Sequence, residues 1–312
     1  MKEKNFISAI LYVHDNEKIL LNTLETIENM LNKNFEKYEI ICVNDASTDQ
    51  SENIIRRFAT KNDNSIISLI NMSYYQGREM AMNAGMDLAI GDFVYEFDTA
   101  VIDYPSELIE KIYFKSLEGY DIVSAVPKKP NQVSSKLFYL LYNKFSNSHH
   151  HLRSERFRIL SRRAINRVKN MSKTIPYRKA VYANSGLSMS HIEYDLIQKG
   201  SKQLTEKENL FRKRTATDSL ILFTDIAYKI TLLVAGIMML AIIGVAIYAI
   251  YTYCTSQFVA AGWTTIMLFL SGVFFVTFAI LAVIIKYLSI LLHLVFNNQD
   301  YLVESINKIT NQ

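Results

Sequence analysis

The chain has 312 residues, a formal net charge of +4 and a hydrophobic fraction of 50%. Two cysteines, Cys42 and Cys254, are too few for a disulfide framework and read as reduced, structural residues. The charge is unevenly placed: Arg153, Arg156, Arg158, Arg162, Arg163, Arg167 and Lys169 cluster, as do Arg212, Lys213 and Arg214.

Met1–Phe6 is polar and carries no signal sequence, so the domain that follows is expected to stay in the cytosol. Phe6–Val13 reads as a strand ending in His14, Asp15 and Asn16, and Ile19–Leu31 has the apolar spacing of a helix. Tyr38–Val43 is a second strand, stopped by the turn-forming group Asn44–Asp49, and Ser51–Ala59 a helix. Ser65–Met72 is a strand, and Gln76–Ala89 a helix with Gly77, Ala81 and Gly85 on one face. Phe93–Phe97 and Asp121–Val126 are further strands around a helix at Ser106–Ser116. This alternation predicts a mostly parallel sheet covered on both faces. Asp15, Asp45 and Asp98 all fall where predicted strands end, the edge at which such sheets bind ligands.

After Pro130 the pattern changes. Lys136–Phe145 is amphipathic and suits either the membrane interface or the sheet surface. Ser161–Val168 reads as a helix, Lys173–Ile192 as irregular and then extended, and Glu206–Arg214 as a charged bridge. Asp218–Tyr228 continues as a helix, and the tail Lys286–Lys308 starts helical and turns polar. The adjacent histidines His149–His151 lack the spacing of a metal site and are expected to be solvated.

Between Lys229 and Lys286 no residue is charged. A helix of about 20 apolar residues crosses a bilayer core, so the run allows two crossings, Ile230–Tyr251 and Trp263–Ile285, around a turn at Thr252–Gly262. The turn lacks Lys and Arg, which puts both termini in the cytoplasm by the positive-inside rule. The expected organisation is a cytosolic domain at 1–228, a transmembrane hairpin at 229–286 and a cytosolic tail at 287–312. Basic clusters beside a membrane favour anionic headgroups or phosphate-bearing ligands over nucleic acid.

Four segments, Val43–Asp49, Asn71–Gly85, Phe97–Pro105 and Phe157–Arg163, in this order resemble glycosyltransferase family 2, with the α/β GT-A fold, and within it the membrane-anchored polyprenyl-phosphate group. Val43–Asp49 resembles V-D-D-G-S-T-D, and Asn71–Gly85 resembles N-x-G-x-x-x-A-x-x-x-G. Phe97–Pro105 falls where the family has D-A-D-L-Q-D-P-P, and Phe157–Arg163 resembles the family's F-R-L-x-x-R-R. The resemblance implies transfer of a hexose from a UDP- or GDP-sugar to a polyprenyl phosphate such as undecaprenyl phosphate, at the cytosolic face of the inner membrane. It implies nucleotide-sugar binding by Asp15, Asp45, Asp98 and Arg78, with Asp98, Asp103 and Glu155 as catalytic residues. Mg²⁺ or Mn²⁺ would sit on Asp98 and Asp103, because hard cations take carboxylate and phosphate oxygens. The acceptor phosphate would meet Arg158, Arg162 and Arg163, whose forked guanidinium groups match it. A flippase or a second copy of the chain is a possible partner.

The chain also departs from the family pattern. The D-x-D motif reads Asp98-Thr99-Ala100, and the acidic residue before F-R-L is Arg156, with Glu155 one position earlier. The donor-phosphate loop of relatives corresponds roughly to Glu208–Arg212. Such departures fit an alternative from another class: an inactive relative serving as a nucleotide- or lipid-binding subunit.

Overall fold

The computed structural model describes residues 2–62, 65–128, 133–146, 150–171, 177–197, 206–224, scattered positions from 229 to 247, 263–296 and 301–309. The strands are β1 (Ile7–Val13), β2 (Tyr38–Asn44), β3 (Ile66–Met72), β4 (Phe93–Phe97), β5 (Ile122–Pro127), β6 (Phe157–Ser161), β7 (Met189–Tyr194) and β8 (Val303–Ile309). They form one sheet in the order β7-β5-β6-β4-β1-β2-β3-β8. β4, β1, β2 and β3 run parallel, as do β5 and β7, while β6 and β8 are antiparallel to their neighbours.

The central strands are mostly apolar because helices cover both faces: every residue of β2 is buried, the polar Glu39 and Asn44 included. α1 (Glu17–Asn34) buries Leu20, Leu24, Ile27 and Leu31, a three-to-four-residue stripe against the sheet. α2 (Ser51–Lys61) and α4 (Glu107–Leu117) pack similarly through Ile55 and Phe58, and through Leu108 and Ile112. α3 (Arg78–Leu88) lies closest to the strands at Gly85, where an added Cβ would stand 2.4 Å from the Ile10 side chain. α5 (Val133–Phe145) buries Tyr142, so at least part of this amphipathic segment packs on protein.

Four stretches differ from the sequence reading. Phe157–Ser161 is strand β6, paired with both β4 and β5 ahead of α6 (Arg162–Met171). Part of the predicted irregular segment forms α7 (Arg178–Asn184). The charged bridge belongs to one helix, α8 (Glu206–Phe223), and the polar tail is β8, which extends the sheet beyond β3.

The chain divides into two compact units, Met1–Ser219 with Gln299–Gln312, and Leu220–Asn298. The tail expected to be a separate cytosolic segment is therefore built into the α/β unit. In the second unit α9 (Trp263–Phe296) has 34 residues, about 51 Å at 1.5 Å per residue. Phe274, Phe275, Leu281, Ile284, Leu288 and Leu291 are exposed on it. Counting only the described residues, no helix is long and apolar enough to cross a membrane. The span expected at Ile230–Tyr251 lies largely outside the described residues, as does the turn at Thr252–Gly262.

Candidate active site

The loops after β1, β2, β3 and β4 meet at the carboxyl edge of the sheet. Asp15 has a left-handed backbone (φ 47°), and its carboxylate accepts bonds from the Thr48 amide at 2.7 Å and hydroxyl at 3.3 Å. Asp15 N–H donates in turn to the Ser47 hydroxyl at 3.1 Å. Asp15 thus ties the first loop to the second.

Asp45 is fully buried. One oxygen accepts the Gln76 amide at 2.8 Å; the other accepts the Gly77 amide at 2.9 Å and the Tyr12 hydroxyl at 3.0 Å. Burial raises its carboxyl pKa, and the donors from Gln76, Tyr12 and Gly77 oppose that rise. The resemblance implies nucleotide-sugar binding by Asp45; here its carboxylate braces the loop that opens α3. Gln76 is held from the other side by β8's neighbour Leu302, through Nε2 to the carbonyl at 2.6 Å and Oε1 from the amide at 2.9 Å.

Gly77 has φ 85°, which favours glycine, and the Phe211 ring covers it so closely that a Cβ would lie 2.1 Å from a ring carbon. Tyr75 stands between two rings, 4.6 Å from His14 and 5.8 Å from Phe211. The Arg78 guanidinium lies 6.0 Å from the Tyr12 ring centre. Aromatic faces beside backbone polar groups and a cation suit a base, a sugar and an anion in that order.

The second part of the site is a buried ion-pair cluster. In the β4–β6 pairing Arg158 stands opposite Glu96. Its Nη1 donates to Glu96 at 2.8 Å, Nη2 to Asp98 at 2.6 Å, and Nε lies 3.1 Å from Glu155. Arg178, from the start of α7, binds the other oxygens: Glu96 at 2.5 Å, Asp98 at 2.7 Å and Glu79 at 3.0 Å. Tyr182 donates its hydroxyl to Glu96 at 3.0 Å. Burial alone would raise the Asp98 pKa, but the charges of Arg158 and Arg178 outweigh it and hold the carboxyl well below the usual range. Asp98 and Glu155 are thus brought together, each bonded to Arg158. Arg178 was missed, since nothing in its local spacing marks a buried guanidinium.

Several assignments are corrected. Arg158 is fully buried and engaged by three carboxylates, so it does not present a fork to an acceptor phosphate. Arg162 donates to the carbonyls of Gly91 and Ala89, and Arg163 to both oxygens of Asp121. Both contacts lie at the amino edge of β4 and β5, at least about 16 Å from Asp98, the five residues from Phe93 to Asp98 at 3.3 Å each. These two arginines fasten the far side of the sheet. Asp103 is paired with Arg156 at 2.6 Å and accepts the Tyr194 hydroxyl at 3.1 Å. The reversed charge at 156 is therefore neutralised internally.

The residues present do not fit a divalent cation seated on Asp98 and Asp103. Each carboxylate already holds a guanidinium, and Ala100 supplies no oxygen from its side chain. Two unit charges about 4 Å apart interact by roughly 4 kcal/mol at an effective dielectric of about 20. A dication brought to Asp98 would meet two guanidinium charges and could reach the carboxylate oxygens only by displacing the bonds they already hold. Among the described residues no group of three or more His, Cys, Asp or Glu side chains could hold a metal ion. His150 contacts the Leu187 carbonyl at 3.1 Å.

The sequence model of Glycosyl transferase family 2 matches residues 8–183. An uncharacterized glycosyltransferase of Synechocystis sp. is 26% identical over 277 residues, covering 86% of each chain. A prophage bactoprenol glucosyl transferase homolog of Escherichia coli is 26% identical over 194 residues, 60% of this chain and 62% of that one. The chain thus spans less than two thirds of the second relative. The crystal structure of glucosyl-3-phosphoglycerate synthase from Mycobacterium tuberculosis, with Mn²⁺, UDP and phosphoglyceric acid, superposes with a TM-score of 0.49 at 14% identity. It covers 70% of this chain and 78% of that one.

Proposed function

Because the chain belongs to glycosyl transferase family 2, we propose that this transferase moves a hexose from a UDP- or GDP-sugar to a polyprenyl phosphate. The class of reaction comes from the family; the acceptor, the membrane location and a role in cell-surface glycan assembly are our reading.

The observation that carries the lipid acceptor is the course of the chain. It leaves the α/β unit near Ser219 and re-enters it as β8, with the uncharged run from Ile230 to Ile285 between. If that run enters a bilayer it crosses an even number of times, because both ends belong to one folded unit. The exposed apolar side chains of α9 call for a cover other than water. The name of the Escherichia coli relative supports the same acceptor class.

In this reading the nucleotide lies over the loops braced by Asp15 and Asp45, against Tyr75 and Phe211. The acceptor's phosphate oxygen attacks the anomeric carbon as the bond to the donor's β-phosphate breaks, and the nucleoside diphosphate leaves with the electron pair. An ionised phosphate carries no proton to remove, so the transfer needs no strong general base. Glu155, ion-paired with Arg158 at 3.1 Å, then positions that guanidinium against Asp98. With Arg158, Arg162 and Arg163 engaged elsewhere, Lys213 and Arg214, exposed on α8, are among the described cations open to a lipid phosphate.

The test offers purified chain a panel of labelled UDP- and GDP-sugars with two acceptors, undecaprenyl phosphate in micelles and 3-phosphoglycerate in solution. Label that moves into the lipid phase supports the reading. Transfer only to the soluble acceptor would overturn it.

A further inference from the structure

We propose that this chain holds the diphosphate of its donor without a divalent cation, and that Lys179 and Arg78 supply the charge. The inference rests on the nucleotide-sugar reading above and concerns how that same site meets the phosphates.

Three observations remove the cation from Asp98. Both its oxygens are bonded to guanidinium groups, Arg158 at 2.6 Å and Arg178 at 2.7 Å. The second carboxylate of the D-x-D motif is replaced by Ala100, which is buried and has its carbonyl taken by the Thr23 hydroxyl at 2.5 Å. The nearby Asp103 is turned to Arg156 and Tyr194.

Two cations are left over. Lys179 follows Arg178 in α7 and is only 9% exposed. Its ammonium meets the Glu155 carbonyl at 3.4 Å, and no carboxylate is paired with it among the described residues. A buried ammonium with one long contact is poorly compensated, and an anion beside it would relieve that. Arg78 opens α3 directly after Gly77 and is exposed, resting over Tyr12, again with no carboxylate partner among the described residues. Both lie close enough to Asp98 for their charge to lower its pKa. Lysine as a point charge and arginine as a fork are the two usual protein partners of phosphate.

The experiment uses the full chain in detergent. UDP and GDP are titrated by calorimetry with EDTA or with MnCl₂, and Mn²⁺ alone is titrated by electron paramagnetic resonance. We expect at least one nucleotide to bind equally well in EDTA and in Mn²⁺, and Mn²⁺ alone to stay free. Lys179→Gln and Arg78→Gln should each weaken the diphosphate by about tenfold or more, the loss of one charge-assisted hydrogen bond. Both should leave binding of the matching nucleoside unchanged, which a general loss of structure would not. Nucleotide binding that requires Mn²⁺, or Mn²⁺ uptake that Asp98→Asn abolishes, overturns the inference and leaves the proposed function standing. Failure of both nucleotides to bind under either condition overturns both.

Discussion

Replacing Arg178 by methionine removes a guanidinium that contacts Glu96, Asp98 and Glu79 at 2.5, 2.7 and 3.0 Å. Methionine fills much of the same volume, so the change is chiefly one of charge. Glu96 and Asp98 are then buried with Arg158 as their one guanidinium partner between them. Removing one partner of a buried ion pair costs about 3–5 kcal/mol, because the remaining charge is left uncompensated. For a unit of this size each kcal/mol lowers the melting temperature by about 2–4 °C. The expected fall is therefore about 6–20 °C, read by circular dichroism of the full chain in detergent. Adding Glu96→Gln removes one of the orphaned charges, so the double variant should melt higher than the sum of the single effects predicts, with a coupling of about 0.5–3 kcal/mol. An Arg178→Met protein melting within about 2 °C of the parent, or strictly additive variants, would refute this account of the cluster.

Three other outcomes follow from the same geometry. Gly77→Ala places a Cβ at φ 85° and 2.1 Å from Phe211, so it should destabilise the chain by at least about 1–2 kcal/mol; a second change, Phe211→Ala, should recover the steric part, and melting curves of both variants decide it. Asp98 has a folded pKa below its unfolded value of about 3.9, so its stabilising effect is present above that pH and lost as pH falls through the folded value. Melting temperatures of the parent should thus drop more steeply in acid than those of Asp98→Asn, and parallel curves would contradict the assignment. Ending the chain at Asn298 removes β8 and the two bonds from Leu302 to Gln76, and nucleotide affinity measured by calorimetry should fall even where the sheet still forms.

The parallel half of the sheet was legible because its strands are apolar on both faces and its helices keep a clean stripe. β1 to β4 end at the polar groups of the candidate site, and Asp15, Asp45 and Asp98 lie at the carboxyl edge of the sheet, as their positions at the ends of predicted strands implied. β8 was missed for a physical reason: it alternates half-buried and exposed residues at the margin of the sheet, so Glu304, Ser305, Asn307 and Lys308 make it look like a polar tail. β6 was recognised as a motif but not as a strand, and that concealed which arginine faces the site. Along β6, Arg158 points into the cluster, while Arg162 and Arg163 lie past its other end. Arg178 and the Arg156–Asp103 pair depend on contacts between segments 53 to 99 residues apart. Arginine is also rarely buried in proteins, so composition argues against the arrangement that the fold creates.

The central claim is hexose transfer to a lipid phosphate, and it is tested most directly by isolating the product. Full chain in detergent is incubated with radiolabelled UDP- and GDP-sugars and undecaprenyl phosphate, in EDTA and in Mn²⁺, beside Asp98→Ala. The account predicts labelled polyprenyl-phosphate hexose from one donor, formed in EDTA and absent from the variant. No product from any donor while nucleotide still binds would contradict it, and would identify the chain as a binding subunit instead.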